Sequence, residues 1–465
     1  MQIVSPQFLL FAAATLAVYY LLARKAQNVW LLLASYFFYA TISWQYALVL
    51  FAVTALNYFI GRKATSRGWL ALGLAINVAS LLSLKLIAGP YGPRIVGLTR
   101  LTVPPEALSL LLPIGFSFYI LQAISYLIDI HRGQADSADD FADFALYLSF
   151  FPKMLAGPVE RPARFLSALR AERRVDGAAF ARGLGLVLVG LLRKVIIADR
   201  LIAFLPADVF ANPTAFSALE KWIWFLVFTF GLYNDFAGYT SIARGLAALM
   251  GIELSPNFRQ PFFSNSFSDF WARWHISLSF WFRDYVFFPL RRWMVGRRWG
   301  HTLAIVAPPL ITMLASGFWH GAYASMLLWG GLHGLYLAGE QLLKINVAHS
   351  PSKWRRWLYM FVVFLFTSLA WIPFASSSLR ASLGYIVGLF AFTGQVASLI
   401  PVPDLLAATA FTLWLDWQER RHDSDAFFLK WTPSAQAWGL VAAIWLLVLF
   451  LGPQAGVVTF VYQGF

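Results

Sequence analysis

The sequence predicts an all-α polytopic membrane protein, and three observations carry that expectation. Only 12% of the 465 residues are charged, against about 25% in a soluble domain. Apolar stretches near the roughly 20 residues that cross a bilayer as a helix recur along the chain. The alternating segments of about ten residues that build a membrane β-barrel do not occur. The mean hydropathy of +0.64 agrees.

Apolar windows place spans at about 7–22, 28–43, 45–60, 69–88, 108–128, 180–203, 220–250, 302–319, 323–342, 357–375, 383–400 and 436–453. No positive residue precedes the first of these, and no small-residue cleavage site comes before Arg24 and Lys25. It therefore reads as a retained span and not as a secretory signal. Two segments break the pattern. Residues 141–158 are apolar but interrupted by Pro152, Lys153, Gly157 and Pro158, and residues 262–293 are aromatic but studded with Asp269, Arg273, His275, Arg283 and Asp284. Irregular or charged backbone at membrane depth is tolerated only where protein or water surrounds it, so both are expected to be re-entrant or buried interfacial segments. Residues 404–435 form the largest polar insert near the C-terminus and read as a surface amphipathic element without chemistry. A single transmembrane domain over 1–465 is expected, with N-terminal helices to 140, a core over 141–345 and C-terminal helices beyond.

The net charge is +14. In a soluble protein that would suggest nucleic acid; here the charge sits in loops, and no nucleic-acid partner is expected. Basic clusters at Arg24/Lys25, Arg62/Lys63/Arg67, Arg161–Arg174, Arg291–Arg298 and Lys344–Arg356 all fall on one side when the spans are counted between them. The positive-inside rule makes that side cytoplasmic and puts Met1 outside. The chain has no cysteine, which removes disulfides and thiolate nucleophiles.

Three histidines lie among apolar runs, where an ionisable side chain is expensive and reads as functional by default. His320, in SGFWHGAY, is bracketed by Gly317 and Gly321, which admit a close backbone or ligand. Burial favours its neutral imidazole, which can take a proton from a hydroxyl; the structural alternative is a bond to a neighbouring helix carbonyl. His275 sits in FWARWHISLSFWFRD. On one continuous helix Trp271, Trp274, Ile276, Leu278 and Trp281 roughly share an apolar face, and Arg273, His275 and Arg283 lie opposite. That polar side suits an anionic donor or a carbonyl, and equally an interfacial belt of snorkelling side chains. His333, in GGLHGLY, would lie about 20 Å beyond His320 on a continuous helix, but Gly321, Gly330 and Gly331 argue against continuity. Its packing role and a substrate role both stay open. Asn234 and Asp235 place a carboxylate within an apolar span, where Arg244 or a histidine would have to partner it. Arg193 and Lys194, with Asp199 and Arg200, read as a helix end at the interface. The phosphate loop, the HExxH metal pair and the GxSxG nucleophile elbow are all missing from the sequence, and no metal is expected.

Taken together, these segments resemble the membrane-bound O-acyltransferase family, in its bacterial branch of alginate O-acetylation proteins and D-alanyl transferases of lipoteichoic acid. The resemblance covers most of the chain. It is carried by LLLASYFFYA, by LLPIGFSFYILQAISYLIDIHRG at 111–133, by FPKMLAGPVERP at 151–162 and by RKVIIADRL at 193–201. DFAGYTSIARGLAALMGIELSPNFRQPF at 235–262 follows, then FWARWHISLSFWFRDY and GFWHG. It implies a ring of about 11–13 helices with re-entrant segments around a central tunnel, in a bacterial plasma membrane. It also implies catalytic roles for His320 and His275. Trp319, Trp274, Arg273, Arg283, Asp284, Asn234, Asp235 and His333 become candidates for lining the donor tunnel. Two departures stand out: the family's DFSGYSDIA reads DFAGYTSIA here, with Ala237 and Ser241, and its PLGG turn reads Pro289-Leu290-Arg291-Arg292.

The implied reaction carries an acyl group, expected to be acetyl from acetyl-CoA, from a cytoplasmic thioester across the membrane. It would reach a hydroxyl of an extracytoplasmic glycan or of a periplasmic partner protein. D-Alanyl transfer from a carrier-protein thioester is the alternative within the class. A polysaccharide transporter is the alternative outside it, though the inverted repeats of transporters are not evident.

Overall fold

The computed structural model describes residues 1, 3–98, 104, 107, 108, 110–345, 352–391 and 401–450. Among them every regular element is helical. Five helices are both long and apolar enough to cross a membrane: Trp44–Gly61, Arg67–Ala88, His301–His320, Lys353–Ala375 and Pro433–Phe450. Each predicted span falls on a helical segment; parts of three of them, residue 109, 392–400 and 451–453, lie outside the described residues. The chain divides into two compact units, one of Met1–Leu191 with Gly238–Pro256, the other of Leu192–Ala237 with the described residues from Asn257 on.

The first unit opens with α1 (Pro6–Tyr19), α2 (Arg24–Ala40), α3 (Trp44–Gly61), α4 (Arg67–Ala88) and the short α5 (Gly92–Gly97). Ser5 and Ser43 start α1 and α3 by accepting from the amides of Phe8 and Tyr46, the usual hydroxyl cap for free amides at a helix start. The span predicted over 108–128 begins later, as α6 (Phe116–His131). Gly115 holds a left-handed φ of 81° ahead of it, in a place where a Cβ would collide with the Met154 carbonyl. Next come α7 (Phe141–Ser149), α8 (Pro162–Arg170) and α9 (Gly177–Leu191). Between α7 and α8 the irregular backbone of 150–160 is entirely buried, which is the protein-wrapped environment expected for it. Lys153 donates there to Gln122 and to the Tyr147 carbonyl. The unit also holds the last turns of α11 (Ala218–Leu249, following α10 at Asp199–Phe204). A Cβ on Gly183, Gly190 or Gly245 would overlap backbone of the opposite helix, so α9 and α11 meet through glycines seven residues apart.

The second unit begins with a π-helix, Leu192–Ala198, a wider turn than α that often marks functional or strained sites. It carries Arg193 and Lys194 into the interior. Arg193 donates to Asp416 at 2.7 Å, to Glu419 at 2.9 Å and to Asn234 at 3.2 Å. The Tyr233 hydroxyl donates to Asp416 at 2.9 Å. Lys194 pairs with Asp235 at 2.7 Å and with Asp199 at 2.6 Å. Asp235 thus has an ion-pair partner in Lys194, where Arg244 or a histidine had been a possible one. The insert expected to be a surface element contains a helix whose carboxylates are inside. In α19 (Val402–His422, after α12–α18 below), Asp416 is fully buried and Glu419 nearly so. Polar composition suggested exposure, and the cation that reverses it lies 223 positions away.

Removing one partner of a buried ion cluster leaves an uncompensated charge. Asp416→Ala is expected to destabilise the protein by about 3 kcal/mol, and a joint Arg193→Met/Asp416→Leu/Glu419→Gln exchange, which removes all three charges of the set, to recover much of that. Thermal unfolding in detergent measures both.

Candidate active site

The catalytic candidates lie on five helices of the second unit and the turns between them: α12 (Phe267–Trp271), α13 (Ile276–Phe282), α14 (Phe288–Gly296), α15 (His301–His320) and α16 (Ala324–Leu342). They pack with α17 (Lys353–Ala375), which α18 (Leu379–Gly388) follows. Glycine sets the closeness of α15 and α16. A Cβ on Gly317 would overlap the Met326 carbonyl, one on Gly330 the Met313 carbonyl, and one on Gly334 would sit 2.8 Å from the Leu310 Cα. Helices in lipid gain nothing from hydrophobic exclusion, so close backbone packing at small residues substitutes for it.

His320 is the last residue of α15, and the extended Gly321 ends the helix. Its ring is 6% exposed and is walled by three aromatic rings: Trp319 at 4.8 Å, Trp329 at 5.1 Å and Phe374 at 5.2 Å between centroids. Because the chain reverses after Gly321, His333 comes back to the far side of Trp329, at 5.0 Å. Trp271 lies 5.0 Å from His333 and 5.8 Å from Trp329. Both ring nitrogens of His333 and the indole nitrogens of Trp271 and Trp329 are buried without a hydrogen-bond partner among the described residues. An unsatisfied buried polar group costs about 1–3 kcal/mol, so four of them in three touching side chains call for a polar guest.

The 262–293 segment is broken, as its charges suggested, and the break changes the reading of His275. Ser266 caps α12 by accepting from Asp269, and the Glu340 carboxylate accepts from the amides of Phe267 and Ser268 at 3.0 Å each. The helix then stops, and His275 takes a left-handed φ of 43° as the residue before α13. A shared polar face with Arg273 and Arg283 therefore does not form: Arg273 pairs with Asp269 at 2.7 Å, and Arg283 with Asp284 at 2.8 Å. His275 is 1% exposed and is held by Asn257. The Asn257 side-chain oxygen accepts the Ser277 amide at 3.1 Å, and its backbone carbonyl accepts from Ile276 at 2.9 Å. Since that oxygen takes an amide proton, His275 Nδ1, 3.2 Å away, is a donor to it. In the neutral ring Nε2 is then the accepting nitrogen.

A cavity of about 270 Å³ opens beside these elements, lined among others by Trp271, Phe282, Arg283, Thr312, Met313 and Ser316. Thr312, Ser316 and His320 recur every four residues, so they share one face of α15. His320 is thus one turn beyond the cavity wall. Trp274 links the two parts, packing on Trp371 at 4.8 Å, which in turn packs on Phe374 at 5.3 Å. The structure brings His320, His333, Trp319 and Trp274 into this aromatic array and sets Arg283 on the cavity. Asp284 and Arg273 are held in local ion pairs. Asn234 belongs to the Arg193 cluster. Sequence reasoning missed Asn257, Trp329, Trp371 and Glu340. A lone acid in an apolar span was a readable signal for Glu340; the others looked like ordinary loop or core residues. Among the described residues no three His, Asp or Glu side chains form a metal-ligating group.

The model of the MBOAT, membrane-bound O-acyltransferase family, matches residues 134–379. The probable alginate O-acetylase AlgI of Pseudomonas aeruginosa is 36% identical over 405 residues, 84% of this chain and 75% of that protein. The peptidoglycan O-acetyltransferase of Helicobacter pylori is 31% identical, covering 81% of this chain and 77% of that protein. The teichoic acid D-alanyltransferase of Bacillus subtilis is 29% identical over 48% of this chain and 58% of its own.

Replacing Asn257 by Ala strips the acceptor from His275 and Ser277. Unfolding in detergent is expected to show a loss of about 1–3 kcal/mol, with Asn257→Asp, which keeps an accepting oxygen, losing less.

Proposed function

The chain belongs to the membrane-bound O-acyltransferase family, and from that premise we propose that it moves an acetyl group from a cytoplasmic thioester, acetyl-CoA, to an extracytoplasmic hydroxyl. The acceptor is a polysaccharide or a periplasmic partner protein that passes the group on. The observation that carries the reading is the placement of His320: nearly buried, ringed by Trp319, Trp329 and Phe374, and one turn past Ser316 on the cavity wall. A dry imidazole beside a chamber for a substrate is what acyl transfer to an alcohol needs, because water there would hydrolyse the donor.

His320 takes the proton of the acceptor hydroxyl. The oxygen attacks the thioester carbonyl, the C–S bond breaks, and the departing thiolate leaves as the thiol with that proton. Arg283, on the cavity wall, meets the donor's phosphates, with the basic loops facing the cytoplasm and Met1 outside. The orphaned indole and imidazole nitrogens of Trp271, Trp329 and His333 receive the polar groups of the donor arm, whose amides need partners in an apolar tunnel. His275 was expected to polarise the carbonyl. With Nδ1 donating to Asn257, its neutral ring offers Nε2 as an acceptor, so it steadies a hydroxyl; donating to an oxyanion requires the protonated ring.

Relatives named for O-acetylation resemble this chain over more of its length than those named for D-alanyl transfer, and that favours acetyl over D-alanyl. Purified protein with radiolabelled acetyl-CoA is expected to show label transfer or thioester cleavage, reduced about 10²–10⁴-fold in His320→Ala with folding intact. Undiminished turnover in that variant would sink the assignment of the base. A carrier-bound D-alanyl thioester used in preference to acetyl-CoA would move the donor to the alternative.

A further inference from the structure

The first unit holds a second cavity that the proposed reaction does not use. It measures about 350 Å³ and is lined by Tyr20, Arg24, Gln27, Glu172, Arg173 and Arg174 among others. It sits where α1 ends and α2 begins, against the 171–175 turn that follows α8.

Arg173 dominates its chemistry. The side chain is 6% exposed, with its guanidinium 5.9 Å above the Tyr19 ring. One terminal nitrogen donates to the Asn28 side chain. Its Nε and Nη1, and the Gln27 side-chain oxygen beside it, have no hydrogen-bond partner among the described residues. Asp143 lies within electrostatic reach of Arg173, but its carboxylate accepts from the Asn28 amide at 2.8 Å and makes no direct ion pair with the guanidinium among the described residues. The rest of the wall adds positive charge. Arg24 lines the cavity too, and the single acid, Glu172, is taken by Arg174 at 3.1 Å. On the far side Gly251, at φ 69°, packs under the Arg173 stem, where a Cβ would lie 3.2 Å from Cγ.

A buried guanidinium with no carboxylate bonded to it directly is costly, and its planar fork suits the paired oxygens of a phosphate. The rim narrows the source. Leu21 and Val175 are 85% and 65% exposed, next to Arg24 and Arg174, where the apolar α1 ends and the chain turns after α8. Apolar side chains beside arginines at a membrane boundary are the surroundings of a phospholipid headgroup and the start of its acyl chain.

We propose that this cavity is a phosphate site, filled in the membrane by the headgroup of an anionic phospholipid. Arg173 supplies the buried fork, Arg24 and Arg174 supply the outer charge, and the lipid ties the α1–α2 turn to the 171–175 turn.

The test uses full-length protein, delipidated in detergent and titrated with phosphatidylglycerol, phosphatidylcholine or inorganic phosphate, with bound species counted by native mass spectrometry. Phosphatidylglycerol is expected to bind in preference to phosphatidylcholine. Arg173→Gln should weaken it by at least about tenfold. Should that variant fail to fold, Arg24→Gln/Arg174→Gln, at half-buried and exposed positions, carries the test and is expected to lower the same preference. Equal binding of the two lipids, or a preference untouched by whichever variant folds, overturns the proposal. Inorganic phosphate that displaces phosphatidylglycerol at equal concentration would make the site one for soluble phosphate and overturn the lipid assignment.

Discussion

Charge buried in a mostly apolar chain must be matched within the chain, and the second unit is organised around that necessity. Arg193 and Lys194 leave one π-helix for two sets of carboxylates, and the first set reaches α19 through Asp416 and Glu419. Tyr233 joins that cluster through its hydroxyl while its ring packs on Phe258 and Trp274. Glu419 also accepts from Gln260 at 3.0 Å. The cluster therefore grips both ends of the 257–274 stretch that delivers His275. The geometry of a catalytic candidate is held by ion pairs that make no contact with its own ring.

Glycine does the complementary work. In hydrocarbon, apolar side chains give helices no reason to prefer each other over lipid. The crossing of α9 with α11 and that of α15 with α16 both bring backbone against backbone at glycines. The second crossing is what folds His333 back onto Trp329, so one aromatic ring separates two histidines that are thirteen positions apart in sequence.

Much of this was legible beforehand because bilayer thickness dictates helix length, and apolar windows found most spans, though the one at 108–128 becomes helical only at Phe116 and the one at 383–400 meets a helix that ends at Gly388. Asp269, Arg273 and Asp284 likewise gave away the broken helices at 262–293, since charge cannot lie along an ordinary span. The failures have one cause: pairing over long sequence separation. Nothing near Asp416 announces Arg193, and nothing near His275 announces that Asn257 fixes which ring nitrogen carries the proton. The left-handed turn at His275 was hidden for a different reason, because histidine is not a residue from which such a turn would be read.

That turn bears on stability. A residue with a Cβ in the left-handed region forgoes about 1 kcal/mol or more that glycine would not. At position 275 that cost is set against the hydrogen bond from Nδ1 to Asn257 and the edge-on contact with Phe236, both of which a glycine would lose. A glycine there would relax the turn and empty a buried ring site, so a stability screen of this position reads two opposed terms at once.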